Sequence, residues 1–510
     1  MTLQDVMELA NLNYSDLPPG WTKSAIKELI GHDGIFCDGD WVESKDQDPN
    51  GEVRLIQLAD IGDGFFKDQS DRFLTFKKSI ELNCTYLQKG DILVARLPDP
   101  LGRACIFPLS GIKKFVTVVD VCIIRNNSNF INSQYLLYLI NSPQTRLEVD
   151  KYKSGSTRKR ISRKNFAKIQ FPIAPLPEQH RIVEKIEELF SELDNGVASL
   201  KKVLEQLKTY RQAVLKWAFE GKLTEKWRNT HQDSLEDADT LLEQIKAERK
   251  RHYQQQLEDW KQALKEWENN GKETKKPIKP QQPKDLPPLT KEELSNLPSL
   301  PDGWMWVKVD YLLSLDKKGM TTGPFGTLLK KSEHQISGIP VLGIENIGNG
   351  VFLPKNKIFI TEKKARELSS FEVSGGDIII SRSGTVGEIC LVPDYFGYSL
   401  ISTNLIRISL NKNIIIPKFF VFLFLGGGSV REQVKELCKG STRDFLNQTI
   451  LQTIIFPFPS LQEQTQIVQE IESRLSVCDQ LEATLTENLD KAEALRQSIL
   501  KRAFEGKLVL

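Results

Sequence analysis

Apolar residues recur in alternating steps of four and three along two long stretches of the chain. The first set is Ile182, Ile186, Leu189, Leu193, Leu200, Val203, Leu207, Tyr210, Val214 and Trp217. The second is Ile467, Ile471, Cys478, Leu481, Leu485, Leu495 and Ile499, interrupted by Arg474 and Asn488, polar residues suited to fixing register. This is a heptad seam, not a single amphipathic patch. Each stretch predicts one helix of about 43 residues, roughly 65 Å long. Ser460 and Glu463 have capping-box spacing at the second start. Gly221 and Gly506 suit the left-handed residue just past each end. A narrow stripe on so long a helix needs a partner, and a paired coiled coil fits the sustained period better than packing on a single domain.

The two stretches are copies. Phe171–Leu223 matches Phe456–Leu508 at a constant offset, from a Pro-rich entry to AFEGKL. The repeat extends upstream. Leu17-Pro-Pro-Gly-Trp21 returns as Leu300-Pro-Asp-Gly-Trp304, and Leu58-Ala-Asp-Ile-Gly62 as Ile344-Glu-Asn-Ile-Gly348. Gly90-Asp-Ile-Leu93 returns as Gly376-Asp-Ile-Ile379, and Gly155-Ser-Thr-Arg158 as Gly440-Ser-Thr-Arg443. A globular region of about 150 residues and its long helix are therefore present twice, a duplication and not a solenoid.

Short β-branched runs predict mixed α/β regions. In the first, strands are expected at Val53–Leu58, Asp91–Arg96, Ala104–Phe107 and Val116–Ile124, with a helix at Tyr135–Glu148. In the second, strands are expected at Pro340–Ile344, Asp377–Ser381, Glu388–Val392 and Ile401–Leu410. Leu235–Trp267 reads as a charged helix, solvated or docked on a neighbour. Lys272–Leu289, rich in Pro and Lys, reads as an extended linker. The expected domains are 1–170, 171–223, 224–298, 299–455 and 456–510.

Composition narrows the chemistry. The net charge of this 510-residue chain is only +2, so nucleic-acid affinity must come from local clusters. Seven scattered cysteines form no CxxC, which argues for a reducing cytoplasm and against a zinc site. The N-terminus shows no signal-peptide pattern, and no apolar run approaches the roughly 20 residues of a spanning helix. There is no phosphate loop, HExxH, GxSxG or dinucleotide fingerprint. No Asn/Asp-Pro-Pro-aromatic tetrapeptide of an amino-methyltransferase is present either. A binding role is favoured over catalysis.

The clearest positive signal is basic. Lys151–Lys168 contains eight Lys and Arg residues and no acid, around the flexible Gly155-Ser156-Thr157. Small side chains, free backbone N–H groups and cations suit phosphate, and Arg also suits guanine. A second loop follows each Gly-Asp-Ile strand, at Arg96–Arg103 and Arg382–Gly387. There a groove contact and a plain surface Arg fit equally. Trp21 and Trp304 read as core anchors rather than base stackers. Candidate DNA contacts are Arg96, Arg103, Ser156, Thr157, Arg158, Lys159, Arg160, Arg163, Lys164, Arg382, Ser383, Thr385, Asn404, Lys439, Ser441, Thr442 and Arg443.

The doubled PLPEQ-type entry, the long helices, the AFEGKL endings and the two glycine motifs resemble the specificity subunit of Type I restriction–modification systems. The resemblance covers essentially the whole chain. It departs at Leu461-Gln-Glu-Gln464, where the first copy has Leu176-Pro-Glu-Gln179. It implies two target recognition domains, each reading half of a split asymmetric site in double-stranded DNA. The two helices would pack antiparallel as a spacer between them, giving an internal pseudo-two-fold. It implies docking of two modification subunits, with candidate residues Phe219, Glu220, Gly221, Lys222, Phe504, Glu505, Gly506 and Lys507. Restriction subunits would complete the nuclease. This chain would carry no catalytic residue, metal or cofactor, with S-adenosylmethionine, ATP and magnesium held by the partners and no membrane involved. Competing readings are an enzyme with an unrecognised motif and a two-domain scaffold that binds proteins instead of DNA.

If helix length sets the spacing of the half-sites, four residues inserted within 195–210 add ~6 Å, near two base-pair steps. Binding-site selection is then expected to return both half-sites unchanged with a longer gap. An unchanged gap would discard the ruler.

Overall fold

The computed structural model describes residues 17–111, 114–156, 158–232, 236–271, 275–280, 282, 286, 288–325, 328–438 and 445–509. Two compact units emerge. The first joins Met1–Leu204 to Ala483–Leu510, and the second is Glu205–Glu482.

In the first unit an antiparallel sheet orders Ile35–Asp38, Val121–Arg125, Ile92–Ala95 and Ala104–Ile106. A second sheet orders Phe73–Leu74, Val53–Ile56 and Lys114–Thr117, the last two strands parallel. Thr22–Ala25 pairs with Gln170–Ile173, so the Pro-rich entry to the long helix is itself a strand. The second unit repeats the plan. One sheet orders Met320–Thr322, Leu405–Ile408, Ile378–Ser381 and Ile389–Leu391. Another orders Ile358–Ile360, Ile339–Leu342, Ser399–Ile401 and Glu372–Val373. Met305–Lys308 pairs with Ile455–Phe458.

Three expected elements are broken in two. The single strand expected at Val116–Ile124 is Lys114–Thr117 and Val121–Arg125, lying in different sheets. A tight corner between them closes with Val121 N–H donating to Val118 O at 3.0 Å. The same corner splits Ile401–Leu410, where Leu405 N–H donates to Ser402 O at 3.1 Å. A continuous β-branched run hides such a corner, because both arms are buried. The expected helix Tyr135–Glu148 is Ser133–Ile140 followed by Pro143–Lys151, with Ser142 capping the second helix and Pro143 in its first turn.

The repeated Gly-Asp-Ile motif is framework. Gly90 and Gly376 have φ of 97° and 84°. Asp91 is buried and takes both Arg125 Nε and Nη2 at 2.7 Å. Asp377 takes Lys317 Nζ at 2.8 Å and the Ser409 hydroxyl at 2.6 Å.

The long helices are Leu176–Phe219 and Leu461–Phe504, 44 residues each. In the first unit, Ile182 and Ile186 near the start of one share a core with Ile499, Leu500, Ala503 and Phe504 near the end of the other. In the second unit, Val214, Ala218 and Phe219 share a core with Ile467, Val468 and Ile471. Within each unit the two segments therefore run antiparallel. The seam differs in detail from the expected one. Leu193, Val197, Leu200 and Leu204 are half-buried in the first unit, as is Leu207 in the second. Val203, Tyr210, Trp217, Leu481 and Leu495 instead lie exposed off the stripe. Arg474 bonds Glu470 on its own helix at 3.2 Å and also Tyr210 on the other helix, a cross-helix contact that can serve register, whereas Asn488 is exposed. Arg496 pairs with Asp194 in the first unit, and Arg211 pairs with Asp479 at 2.6 Å in the second. These are equivalent positions of the duplicated sequence.

Each unit is locked by one repeated clamp. Gln179, fully buried, accepts from Asn132 N–H at 2.8 Å and donates to Phe130 O and Ala174 O at 3.1 and 2.9 Å. Gln464 does the same with Ile416 N–H, Ile414 O and Pro459 O at 2.9, 3.0 and 3.0 Å. The preceding glutamate holds the indole of the Leu-Pro-x-Gly-Trp turn. Trp21 Nε1 donates to Glu178 at 3.2 Å and Trp304 Nε1 to Glu463 at 2.8 Å. Both indoles are buried. Glu463 N–H reaches the Ser460 hydroxyl at 3.3 Å, but its carboxylate turns to Trp304, Thr224 and Arg228. Only half of the expected capping box forms, because this buried network takes the acceptor.

Against the same turn lies a helix C-terminus. Gly506 ends one helix with φ 69°, with Lys507 N–H donating to Arg502 O at 2.9 Å. Gly221 repeats this with φ 71° and Lys222 N–H to Trp217 O at 2.9 Å. A Cβ on either glycine would stand 2.3 Å from a proline Cγ, Pro18 or Pro301.

In the second unit, Ala238–Asn269 forms the charged helix, docked through buried Leu241 and Ile245. The described linker residues follow it back, with Trp260 Nε1 donating to Pro277 O at 3.1 Å. No helix among the described residues is long and apolar enough to cross a membrane.

Alanine at Gly221 or Gly506 is expected to cost about 2 kcal/mol or more, from a left-handed backbone plus the clash with proline. Gly196, mid-helix with nothing within 4 Å of its would-be Cβ, is expected to gain about 0.5–1 kcal/mol as alanine. Urea midpoints of the full chain check the opposite signs.

Candidate nucleic-acid interface

The basic run of the first unit folds as a small hairpin. Ser154 and Arg160 exchange backbone hydrogen bonds of 2.9 Å each. Gly155 turns the tip with φ 97°, and a Cβ there would lie 2.4 Å from Arg158 O. Ile161 is completely buried beneath the hairpin, and its N–H donates to Arg96 O at 3.1 Å. Ser156, Arg158, Lys159, Arg160 and Lys164 are exposed. Arg158, Lys159 and Arg160 have no ion-pair partner among the described residues, while Lys151 and Lys153 pair with Glu148 and Asp150. Thr157 lies outside the described residues.

The two candidate loops of the first unit thus meet where Arg96 ends its strand. The side chains differ from expectation. Arg103 does not reach out from the turn. It is buried, and its guanidinium donates to Ile61 O, Pro98 O and Leu58 O at 2.9, 2.7 and 3.1 Å. Burial lowers its pKa from the ordinary arginine value, against the opposing charge of Asp63. It is a loop brace. Arg96 is also half-sunk, bonded to Val119 O and flanked by Asp38 and Asp120 at 3.5 and 3.8 Å. Arg163 is half-buried, with Asp38 at 3.0 Å and Phe36 O at 3.2 Å.

The second unit repeats the bond to the strand-end arginine. Leu446 N–H donates to Arg382 O at 3.0 Å. Lys439, Ser441, Thr442 and Arg443 lie outside the described residues. Arg382 is only 8% exposed and lies between Phe325 and Phe445, 4.7 and 4.4 Å from their ring centres. Ser383 is half-buried and donates to Asn404 Oδ1 at 3.0 Å. Thr385 and Asn404 are exposed.

Sequence reasoning passed over the corner between the sheets. It carries Asp120 in the first unit and Asn404 in the second, and each gives its carbonyl to the strand-end arginine N–H at 2.9 Å. Asn404 was a candidate; Asp120, in the same frame position, was not. Beside Asp120 is a cleft of about 430 Å³, lined by Asp40, Trp41, Gln57 and Val119 among others. Trp41 is 69% exposed there. Burial pushes the Asp40 carboxyl up to about 6, against the Thr85 N–H that favours its charge. Among the described residues no cluster of His, Cys, Asp and Glu could hold a metal ion.

The candidate docking residues divide. Phe504 is 2% exposed, edge-on to Tyr135 at 5.2 Å, and Phe219 packs on Phe419 at 5.5 Å. Gly221 and Gly506 abut the prolines. These four are committed inside their own units and offer no side chain to a partner. Glu220, Lys222 and Lys507 are exposed, and Glu505 is half-buried.

Comparison with known proteins places this architecture. The Type I restriction enzyme EcoBI specificity subunit of Escherichia coli is 24% identical over 389 residues, 76% of this chain and 68% of that protein. The EcoEI specificity subunit of Escherichia coli is 24% identical over 515 residues, 95% of this chain and 83% of that protein. Two solved chains share the fold. One comes from work on complex assembly and conformational transition of the type I R-M system, with TM-score 0.61, 17% identity, and 96% and 99% of the two chains covered. The other is the HsdS subunit of Thermoanaerobacter tengcongensis, with TM-score 0.50, 16% identity, and 97% and 99% covered. The family model for the Type I restriction modification DNA specificity domain matches residues 18–208 and 307–491, and the chain belongs to that family.

Proposed function

We propose that this chain is the DNA-recognition subunit of a Type I restriction–modification complex. Each unit reads one half of a split, asymmetric site in double-stranded DNA. The observation that carries this is the hairpin of the first unit. Arg158, Lys159 and Arg160 project from a base fixed by buried Ile161, with no carboxylate among the described residues to neutralise them. A duplex presents the complementary dense negative charge. Ser156 adds a small polar group at the tip. Ser383, Thr385 and Asn404 line the corresponding edge of the second unit.

The chain itself performs no chemistry in this proposal. It presents bound DNA to two modification subunits, which transfer a methyl group to adenine, and to restriction subunits, which cleave with ATP and magnesium. Glu220, Lys222 and Lys507 are the docking candidates that remain accessible. The recognition regions are proposed as 1–170 and 299–455, the helical regions as 171–223 and 456–510, and 224–298 as the intervening segment. The complex works in the cytoplasm, where cellular and invading DNA meet.

Alanine at Arg158, Lys159 and Arg160 together is expected to weaken duplex binding at least tenfold. The slope of log affinity against log salt should flatten by about 0.9 for each phosphate that is no longer neutralised. The unfolding midpoint should hold, since exposed substitutions usually change stability by within about 0.5 kcal/mol. Unchanged DNA affinity would favour a protein-binding scaffold instead.

Replacing residues 17–170 by the corresponding region of another family member is expected to change one half-site and leave the other. The methylome of cells carrying the hybrid reads this directly, and loss of both half-sites would contradict modular reading.

A further inference from the structure

Arg96 and Arg382 occupy the same backbone position. Each follows the Gly-Asp-Ile strand, and each gives its carbonyl to the residue three positions after the Gly-Ser-Thr-Arg motif, Ile161 or Leu446, at 3.1 and 3.0 Å. Each N–H meets the corner residue, Asp120 or Asn404, at 2.9 Å. Their electrostatic surroundings are opposite. Arg96 has Asp38 and Asp120 within ion-pair distance. Around Arg382 the corner residue is a neutral amide, and no carboxylate forms an ion pair with it among the described residues. Its Nη1 has only a long 3.4 Å contact to Thr403 O, and its Nε is buried without a partner. Burial lowers its pKa, and among the described residues no neighbouring charge opposes the shift.

A buried cation without a counter-ion is costly, and the two phenyl faces compensate only part of the missing hydration. The Phe rings that flank Arg382 are themselves open, Phe325 52% and Phe445 38% exposed. The stack therefore sits at the surface and not in the core, edged by Ser383, Thr403 and Asn404. Arg103 and Arg407 are equally buried, but protein acceptors take most of their donors: Ile61, Pro98 and Leu58 carbonyls for one, Glu372 and Lys318 carbonyls and the Thr321 hydroxyl for the other. The Nε of Arg407 and of Arg96 is unpartnered like that of Arg382, but carboxylates act on each of the others: Asp63 on Arg103, Asp377 and Glu372 on Arg407, and Asp38 and Asp120 on Arg96. Among the described residues Arg382 has neither such a set nor a neighbouring carboxylate. A phosphodiester oxygen supplies both at once, an acceptor and a full negative charge.

We propose that Arg382 is a phosphate seat of the second unit, completed by a backbone phosphate of bound duplex DNA, while Arg96, neutralised by Asp38 and Asp120, is not a phosphate contact. The proposal rests on the DNA reading above and makes the two units unequal. One carries its backbone-binding charge on an exposed hairpin, the other on a stacked, half-sunken arginine.

The test uses the full chain in its complex and a duplex bearing the site mapped by the methylome. Affinity is measured across a range of salt. Arg382→Gln is expected to weaken binding and reduce the slope of log affinity against log salt by about 0.9, the value for one phosphate. Arg382→Lys keeps the charge and the slope. Asn404→Asp, an exposed and nearly isosteric change, introduces beside Arg382 the carboxylate that Arg96 already has, and is expected to reduce the slope similarly. It should have no further effect in the Arg382→Gln background. Arg96→Gln leaves the slope unchanged. A wild-type slope in both Arg382→Gln and Asn404→Asp overturns the phosphate seat, as does an equal fall in slope for Arg382→Lys. A wild-type complex that fails to bind the duplex overturns the DNA reading itself, a separate outcome.

Discussion

A buried glutamine amide is the constraint on which each unit depends. At the start of a long helix the first N–H groups have no helical partners, and the preceding loops leave carbonyls to satisfy as well. Gln179 and Gln464 each bind three backbone groups from the chain around the helix start. Loss of such an amide would leave several buried polar groups unpaired, at about 1–3 kcal/mol apiece. Beside it the glutamate fixes the tryptophan, and the tryptophan turn supplies the proline against which the other helix ends. Strand, helix start and opposite helix end are thereby held at one point.

Much of this is legible in the amino-acid order alone. The duplication, the two long helices, their glycine ends and the buried tryptophans follow from repeat spacing and apolar period. The corners at Asp120 and Asn404 are not legible, because both arms of each corner are β-branched and buried and the pattern shows no break. Nor is the seam. Val203, Tyr210 and Trp217 keep a heptad spacing but are exposed, whereas Arg211 and Arg496 pair across the two helices. Apolar counting cannot see a stripe stabilised partly by Asp194–Arg496 and Asp479–Arg211 pairs. Those pairs show in the sequence only as polar residues repeated at the duplication offset.

The repeated motifs also divide by role. Gly-Asp-Ile, Glu-Gln, Leu-Pro-x-Gly-Trp and the glycine of AFEGKL are framework, each explained by a left-handed backbone or a buried acceptor. Their recurrence reports shared architecture, not shared chemistry. The copies part elsewhere: at Asp120 against Asn404, and at the freely charged hairpin against the stacked Arg382. Arg103 shows the hazard in reading an arginine after a turn as a contact, since its charge is consumed by three loop carbonyls. An arginine's availability depends on what else its donors reach, and sequence spacing does not carry that information.

The discontinuous make-up of the first unit bears on the order of synthesis. Residues of the second unit are all contiguous and can consolidate as soon as they leave the ribosome. The first unit has its strands upstream of the second unit, yet its core includes Ile499, Leu500, Ala503 and Phe504, downstream of it. Tyr135 and Ile182 must wait for that closing helix while everything between is translated. A nascent chain therefore carries an open apolar groove throughout synthesis of the second unit, and the half begun earlier is sealed later.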